Sequence, residues 1–119
     1  MTKSELSDLL HEICDAVDEG IASQENNNKY SRIVYWPYVE KDEMSSGKGY
    51  INMVTYQISL FDRKPQGDTY KKLRECLRER GIHPTFYHEY IEKDPIFEKA
   101  WHTYFSIDVQ EEIDECICV

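Results

Sequence analysis

The chain has 119 residues, and its 23 Asp and Glu residues against 14 Lys and Arg residues give a formal net charge of −9. This length allows one domain with a hydrophobic core and excludes a multi-domain enzyme. The acidic balance argues against general binding to nucleic-acid phosphates, which requires an excess of Lys and Arg. The sequence contains neither an apolar run long enough to span a membrane nor an initial secretory pattern, so we expect a soluble cytosolic protein.

The first residues have the pattern of an amphipathic helix. Apolar residues recur at spacings of three and four, namely Leu6, Leu9, Leu10, Ile13 and Val17. Thr2 and Glu5 have the spacing of a capping box, so the helix is expected to begin there and to end near Gly20. The polar segment 23–29 has no apolar residue to pack against a core, and it predicts a loop.

Two strands are predicted next. Residues 32–39 are rich in β-formers, although Pro37 restricts this strand to a sheet edge or a bulge. The polar stretch 41–49 predicts a turn. Residues 50–61 then alternate between apolar and polar side chains, which predicts a second strand with one buried and one wetter face. Such alternation is typical of an antiparallel sheet that is covered on one side.

The second half of the chain begins with a second helix over about residues 69–80. Asp68 is a suitable N-cap, and Gly81 is a suitable residue to end the helix in the left-handed conformation. Pro84 prevents the helix from continuing. The helix therefore has a clear start and a clear stop.

Two further strands are predicted over residues 85–91 and 101–109. The resulting order α-β-β-α-β-β predicts an α+β two-layer domain, with a mainly antiparallel sheet of about four strands and both helices on one face. Periodicity leaves the strand order open. We assign residues 1–110 to this single domain and residues 111–119 to an acidic C-terminal tail.

The residues that could carry catalysis or bind a metal form no recognisable motif. The four histidines lie at no metal-binding spacing, and the four cysteines are expected to be reduced thiols. A Ser–His–Asp set can be drawn from Ser106, His102 and Asp108, but no strained turn presents the serine. We therefore predict no catalytic residue, no cofactor and no metal site.

The charge is distributed unevenly along the chain. Between Arg63 and Arg80 seven basic residues stand against three acidic ones, whereas five acidic and no basic residues follow Lys99. Opposed patches of this kind can steer one subunit onto another. The nine tyrosines and two tryptophans exceed what one sheet face can bury, and they favour an assembly surface over a catalytic cleft.

Three segments together resemble a known family. They are the strand 54–61 (VTYQISLF), the helix and its Gly-Ile-x-Pro stop over 73–84, and the aromatic strand 101–109. This order resembles the tail-terminator or tail-completion (head–tail joining) proteins of long-tailed bacteriophages and prophages. The resemblance covers about residues 32–110 and includes no catalytic motif.

The resemblance implies a structural virion protein and not an enzyme. Such proteins form a ring, commonly sixfold, that caps the head-proximal end of the tail tube, stops its polymerisation and docks the head connector. The implied partners are other copies of the chain, the tail-tube protein and a head-completion or connector protein, with no sequence-specific nucleic acid and no membrane. The implied location is the host bacterial cytoplasm during assembly and then the virion tail.

Two surfaces are assigned within this hypothesis. One pairs the basic face of the second helix with the acidic end of a neighbouring subunit, through Lys71, Arg74, Arg78, Glu111, Glu112 and Asp114. The other is a loop that touches the tube or lines the channel, formed by Lys41, Asp42, Glu43, Met44 and Lys48. The alternatives are a small acidic regulatory or DNA-mimic inhibitor protein that binds a host enzyme, and a small enzyme or ligand-binding domain with a pocket between the sheet and the first helix.

Overall fold

The computed structural model describes residues 1–20, 31–44, 50–64, 66–91 and 100–112. The helices in these ranges are α1 (Lys3–Ile13) and α2 (Asp68–Glu79). The strands are β1 (Val17–Glu19), β2 (Arg32–Met44), β3 (Tyr50–Asp62), β4 (Tyr87–Ile91) and β5 (Ala100–Glu112). The α+β class predicted from the sequence is confirmed.

The strands form one mixed sheet in the order β1-β2-β3-β5-β4. The pairings β2–β3, β3–β5 and β4–β5 are antiparallel, whereas β1 runs parallel to β2. The predicted count of about four strands is therefore corrected to five. The strand order, which the sequence leaves open, places β5 between β3 and β4.

The additional strand arises because α1 is shorter than predicted and ends at Ile13 instead of near Gly20. Its start is as predicted, since the Glu5 amide donates a hydrogen bond to the Thr2 hydroxyl at 3.2 Å. Beyond the helix the chain is extended, and β2 supplies its hydrogen-bond partners. Val17, which continues the apolar stripe of the helix in sequence, therefore belongs to β1.

The core lies between the two helices and one face of the sheet. Its residues are Leu6, Leu9, Leu10, Ile13, Tyr70, Leu73 and Leu77 from the helices, with Ile33, Tyr35, Val54, Tyr56, Ile58, Leu60, Phe105, Ile107 and Val109 from the strands. The alternation predicted for β3 and β5 is confirmed. We call this side of the sheet the helix face and the other side the open face, because no described helix packs on it.

The helix α2 ends as predicted but begins one position earlier. Gly67 is its N-cap, and Asp68 is the first helical residue instead of the cap. Gly81 has a φ of +74°, which glycine adopts without a Cβ clash. The amides of Gly81 and Ile82 each donate to a carbonyl of the last helical turn at 2.9 Å, which is a Schellman motif. This stop returns the chain towards the helix.

Three strands of 13 residues give the molecule its length. At about 3.3 Å per residue, β2, β3 and β5 each extend for about 43 Å, within overall dimensions of 55 × 30 × 22 Å. The register of β2 shifts between Pro37 and Val39, so the predicted bulge at the proline is confirmed. The strand then continues to Met44. Residues 41–44 are therefore strand residues and not part of the predicted turn.

Candidate functional site

The predicted basic residues form one stripe on α2. Lys71, Arg74 and Arg78 occupy positions i, i+3 and i+7, which share one face of a helix. All three side chains are exposed. The acidic residues of α2 lie about 90° away from this face around the helix axis, at 100° per residue; they are Asp68, Glu75 and Glu79. We call the cationic surface of these three residues the basic stripe.

The C-terminal part of the basic stripe borders a small cleft that is open to solvent. The residues that line it are Arg74, Arg78, Ile82, His83, Pro84 and Phe86. The Arg74 guanidinium donates a hydrogen bond to the Tyr70 hydroxyl at 3.3 Å and lies 5.9 Å from the centre of the Phe86 ring. We call this site the α2 cleft. It places cationic groups beside an apolar wall.

The sequence prediction missed the contribution of His83 and Phe86 to this site. Both residues follow the Schellman stop at Gly81, which brings the chain back beside the helix it has just left. The Phe86 ring then packs on Phe105 of β5, with ring centres 4.9 Å apart. The Gly-Ile-His-Pro sequence signals this reversal, but the wall that it builds against Arg74 is visible only in three dimensions.

Two of the predicted acidic residues, Glu111 and Glu112, lie at one end of the sheet. The register places Asp42 beside Asn52 and Asn52 beside Glu111. The ends of β2 and β5 therefore flank the start of β3 and lie about 10 Å apart, at about 4.8 Å per strand. We call this region, residues 40–44, 50–53 and 110–112, the distal end.

The distal end brings together two groups of residues that the sequence predicts to be separate surfaces. It contains Lys41, Asp42, Glu43 and Met44 of the proposed tube-contacting loop, together with Glu111 and Glu112 of the proposed subunit interface. Strand pairing thus extends two residues into the segment that was assigned to the tail. Lys48 and Asp114 lie outside the described residues.

The subunit does not bring the basic stripe and the distal end together. Phe86 marks the position of the α2 cleft on the sheet, because it packs on Phe105. Glu111 lies six residues further along β5, which is about 20 Å at 3.3 Å per residue. Within the described part of the chain, neither Arg74 nor Arg78 forms an ion pair with a carboxylate.

A row of stacked rings crosses the open face. Tyr87 of β4 stacks on Tyr104 of β5 with ring centres 5.3 Å apart. Tyr104 stacks on His102 at 4.8 Å, and His102 stacks on Phe61 of β3 at 4.7 Å. The guanidinium of Arg32 on β2 lies 4.6 Å from the centre of the Phe61 ring. The side chains of this aromatic row thus connect four strands, in addition to the backbone pairing of those strands.

Two tyrosines present much of their surface to solvent on the open face. Tyr87 is 55% exposed, and Tyr38 is 52% exposed. The Tyr38 hydroxyl lies 3.3 Å from the Ser106 hydroxyl of β5, which places its ring on the same face. Exposed aromatic area on a sheet face is typical of a surface that contacts another protein.

The His102 ring lies within the aromatic row and is hydrogen-bonded at both nitrogens. Its Nδ1 lies 2.7 Å from a carboxylate oxygen of Glu89, and its Nε2 lies 2.8 Å from the hydroxyl of Ser59. This is the connectivity of a Ser–His–carboxylate triad. Ser59 is 0% exposed, however, so a substrate carbonyl has no access to its hydroxyl. The network therefore holds strands together.

The set of Ser106, His102 and Asp108 is not assembled. Ser106 contacts Tyr38, and Asp108 accepts a hydrogen bond from the Thr55 hydroxyl at 2.7 Å. His102 has the partners given above and contacts neither. On the open face, the Thr55–Asp108 hydrogen bond joins the neighbouring strands β3 and β5, and the Tyr38–Ser106 contact joins β2 to β5 across β3.

Two thiols and one ion pair are the other groups of chemical interest among the residues that the structure describes. No cluster of three or more potential metal ligands occurs in the described ranges. No helix in the same ranges is long and apolar enough to cross a membrane. Cys14 and Cys76 are free thiols, and burial raises the pKa of the Cys14 thiol. A hydrogen bond with Glu19, at 2.9 Å, raises the pKa of Lys3.

The candidate site thus consists of three surfaces: the basic stripe with the α2 cleft, the acidic distal end, and the open face with its aromatic row. The basic stripe lies on α2 and the other two surfaces lie on strands, whereas four residues of the α2 cleft lie on the segment between α2 and β4, namely Ile82, His83, Pro84 and Phe86. The chain matches no protein-family model and no curated protein.

Proposed function

We propose that this protein is a structural subunit that forms a homo-oligomeric ring, terminates the tail tube of a long-tailed phage and joins the tail to the head. The observation that carries the proposal is the separation of two oppositely charged surfaces on one subunit. The basic stripe and the distal end do not meet within a molecule, but they meet when subunits associate head to tail. Such a heterologous contact closes into a ring when the rotations complete a circle.

In this ring, each basic stripe faces the distal end of the next subunit. Lys71, Arg74 and Arg78 of one subunit pair with Glu111, Glu112 and Asp114 of its neighbour. The β5 side of the distal end makes this contact. Charge complementarity sets the orientation of the subunits and accelerates their encounter.

The β2 side of the distal end serves a different partner. Residues 41–44 and Lys48 lie towards the tail-tube protein or line the channel. DNA must pass through the ring without being held, and the net charge of −9 disfavours a grip on its phosphates. The open face, with Tyr38 and Tyr87, is left for the tail-tube or head-completion protein.

The charge distribution gives less support to an inhibitor that mimics DNA. A mimic presents carboxylates at intervals along one surface, like the phosphates that it replaces. Here the carboxylates of β2 and β5 cluster at one end, and the basic stripe occupies the helix layer. The network of Ser59, His102 and Glu89 gives no support to an enzyme, since its serine is buried.

Light scattering tests the self-association directly. The chain has a mass of 14.2 kDa, so a closed ring gives a discrete mass several times larger. The measurement is made over a wide range of protein concentration and at two salt concentrations. We expect a single oligomer that dissociates as salt screens the charged contact.

Co-sedimentation with purified tail tubes tests the role in termination. A terminator binds tube ends, so the amount bound should rise when the same mass of tubes is sheared into shorter pieces. Binding that follows tube mass and not the number of ends would contradict termination. A protein that stays monomeric and does not sediment with tubes contradicts the whole proposal.

A further inference from the structure

The α2 cleft is lined by apolar as well as cationic side chains, and charge pairing alone does not require the apolar ones. We infer that it is the receptor for an acidic segment with interspersed apolar residues, and that its occupant is the segment 111–119 of a second copy of this chain. The inference rests on the proposed function in that the occupant is a neighbouring subunit. It adds to that function a defined pocket and two residues, His83 and Phe86, that the charge pattern does not include.

The cleft has two kinds of wall. Arg74 and Arg78 supply guanidinium groups that favour carboxylates. Ile82, Pro84 and Phe86 supply apolar surface directly beside them. Arg74 is held in place by Tyr70 and Phe86, so less side-chain entropy is lost when it binds a ligand. A ligand that carries both carboxylates and apolar groups satisfies both walls.

The segment 111–119 has this composition. Its sequence EEIDECICV contains four carboxylates, three aliphatic residues and no basic residue. Alternate residues of an extended chain lie about 6.6 Å apart, whereas residues one helical turn apart lie about 6 Å apart. Glu112 and Asp114 therefore match the spacing of Arg74 and Arg78 if the segment continues the extended course of β5.

The matching carboxylates must come from another subunit, because Glu112 and Asp114 cannot reach the cleft of their own subunit. Phe105 lies beside the cleft, and Glu112 lies about 23 Å further along β5. Two further residues extend at most about 7 Å, so Asp114 cannot cover that distance even if the chain reverses. Glu112 and Asp114 thus reach an α2 cleft only in trans.

A peptide-binding experiment on the full-length protein tests this inference independently of ring formation. The probe is a fluorescent peptide of residues 110–119 with Cys116→Ser and Cys118→Ser, and the readout is fluorescence anisotropy. We expect saturable binding that Arg74→Glu and Arg78→Glu each weaken by about tenfold or more. The matched control is Arg80→Glu, an exposed arginine near the end of α2 that does not line the cleft, for which we expect a change of less than about threefold.

Altered peptides separate the contributions of charge and apolar contact. Replacing Glu112 and Asp114 with Gln and Asn should abolish binding, and Ile113→Ser should weaken it. A peptide with Glu112→Arg and Asp114→Arg should bind the Arg78→Glu protein better than the wild type does. Inorganic phosphate is the competitor: if it displaces the peptide as effectively as the unlabelled peptide does, the cleft is a general anion site and the inference is wrong.

The outcomes distinguish this inference from the proposed function. If the protein forms rings that survive Arg74→Glu and Arg78→Glu, and the peptide does not bind, the cleft is not the receptor and the basic stripe is not the ring contact, but ring formation through another surface stands. If the peptide binds in the cleft and the protein neither oligomerises nor sediments with tubes, the ring proposal fails and the cleft stands. Equal weakening by Arg80→Glu shows non-specific attraction and overturns the inference.

Discussion

The double variant Tyr38→Ser and Tyr87→Ser separates assembly from folding on the open face. Both rings are more than half exposed, so the folded subunit loses little when they are removed. Loss of the stacking between Tyr87 and Tyr104 costs about 0.5–1.5 kcal/mol, and loss of the exposed Tyr38–Ser106 contact costs about 0.5 kcal/mol. We therefore expect the free energy of unfolding to fall by about 1–2 kcal/mol.

The effect on assembly should be larger. A tyrosine that becomes buried at the centre of an interface contributes about 2 kcal/mol or more, which corresponds to about a thirtyfold change in the dissociation constant for each residue. Urea unfolding gives the stability of the variant, and co-sedimentation with tail tubes gives its binding. We expect strongly reduced binding by a subunit that remains folded.

Tyr90→Ser is the matched control. Tyr90 lies on the same strand as Tyr87, is 43% exposed, and packs on Trp101 at 5.0 Å. Alternation along β4 directs its ring to the opposite side of the sheet. Its loss should lower stability by a similar amount and leave binding unchanged. Normal binding by the double variant, or equal loss of binding by the control, would refute a role of the open face in binding the tail tube.

Three further substitutions probe elements of the fold. Ser59→Ala leaves Nε2 of His102 without its partner beneath the stacked rings, so urea unfolding should show a loss of about 1–3 kcal/mol; unchanged stability would show that the network contributes nothing. Gly81→Ala places a Cβ at a φ of +74°, and should cost about 1 kcal/mol and lower the melting temperature. Because burial raises the pKa of the Cys14 thiol above its ordinary 9.0, Cys14 should react with a disulfide reagent more slowly than Cys76 in the native state and equally fast in urea. By linkage, the folded state keeps this proton as the pH rises past 9.0 while the unfolded state releases it, so stability should decline there, and Cys14→Ala should remove that decline.

Local patterns in the sequence predicted the elements that depend on neighbouring residues. The faces of β3 and β5 follow from strict alternation, and the stop of α2 follows from Gly81 and Pro84, because both features are decided within a few residues. The end of α1 was predicted wrongly for the opposite reason. Val17 fits a helical stripe as well as a strand, and its partner in β2 is distant in sequence.

The candidate site shows the same limit. The basic stripe could be predicted, since helical spacing alone brings Lys71, Arg74 and Arg78 together. The proximity of residues 41–44 to Glu111 at the distal end could not be predicted. It depends on the pairing of β5 with β3, and these strands are separated in sequence by α2 and β4. The contact of Ser59 and Glu89 with the ring of His102 likewise exists only through the register of three strands.

The bulge at Pro37 helps to prevent the sheet from pairing with strands of other molecules. Beyond β1, the edge of β2 that faces away from β3 has no described strand beside it over residues 36–44, and such an edge can recruit strands from other molecules into fibres. Pro37 removes one amide donor from this edge, and the bulge twists it away from a flat template. On the other side, the Gln110 amide of β5 donates to the Met1 carbonyl at 3.1 Å, so the N-terminus occupies that position. At these two positions backbone pairing is discouraged, so in the proposed ring the contacts between copies would be made there by side chains, which favours a finite number of subunits over an open-ended filament.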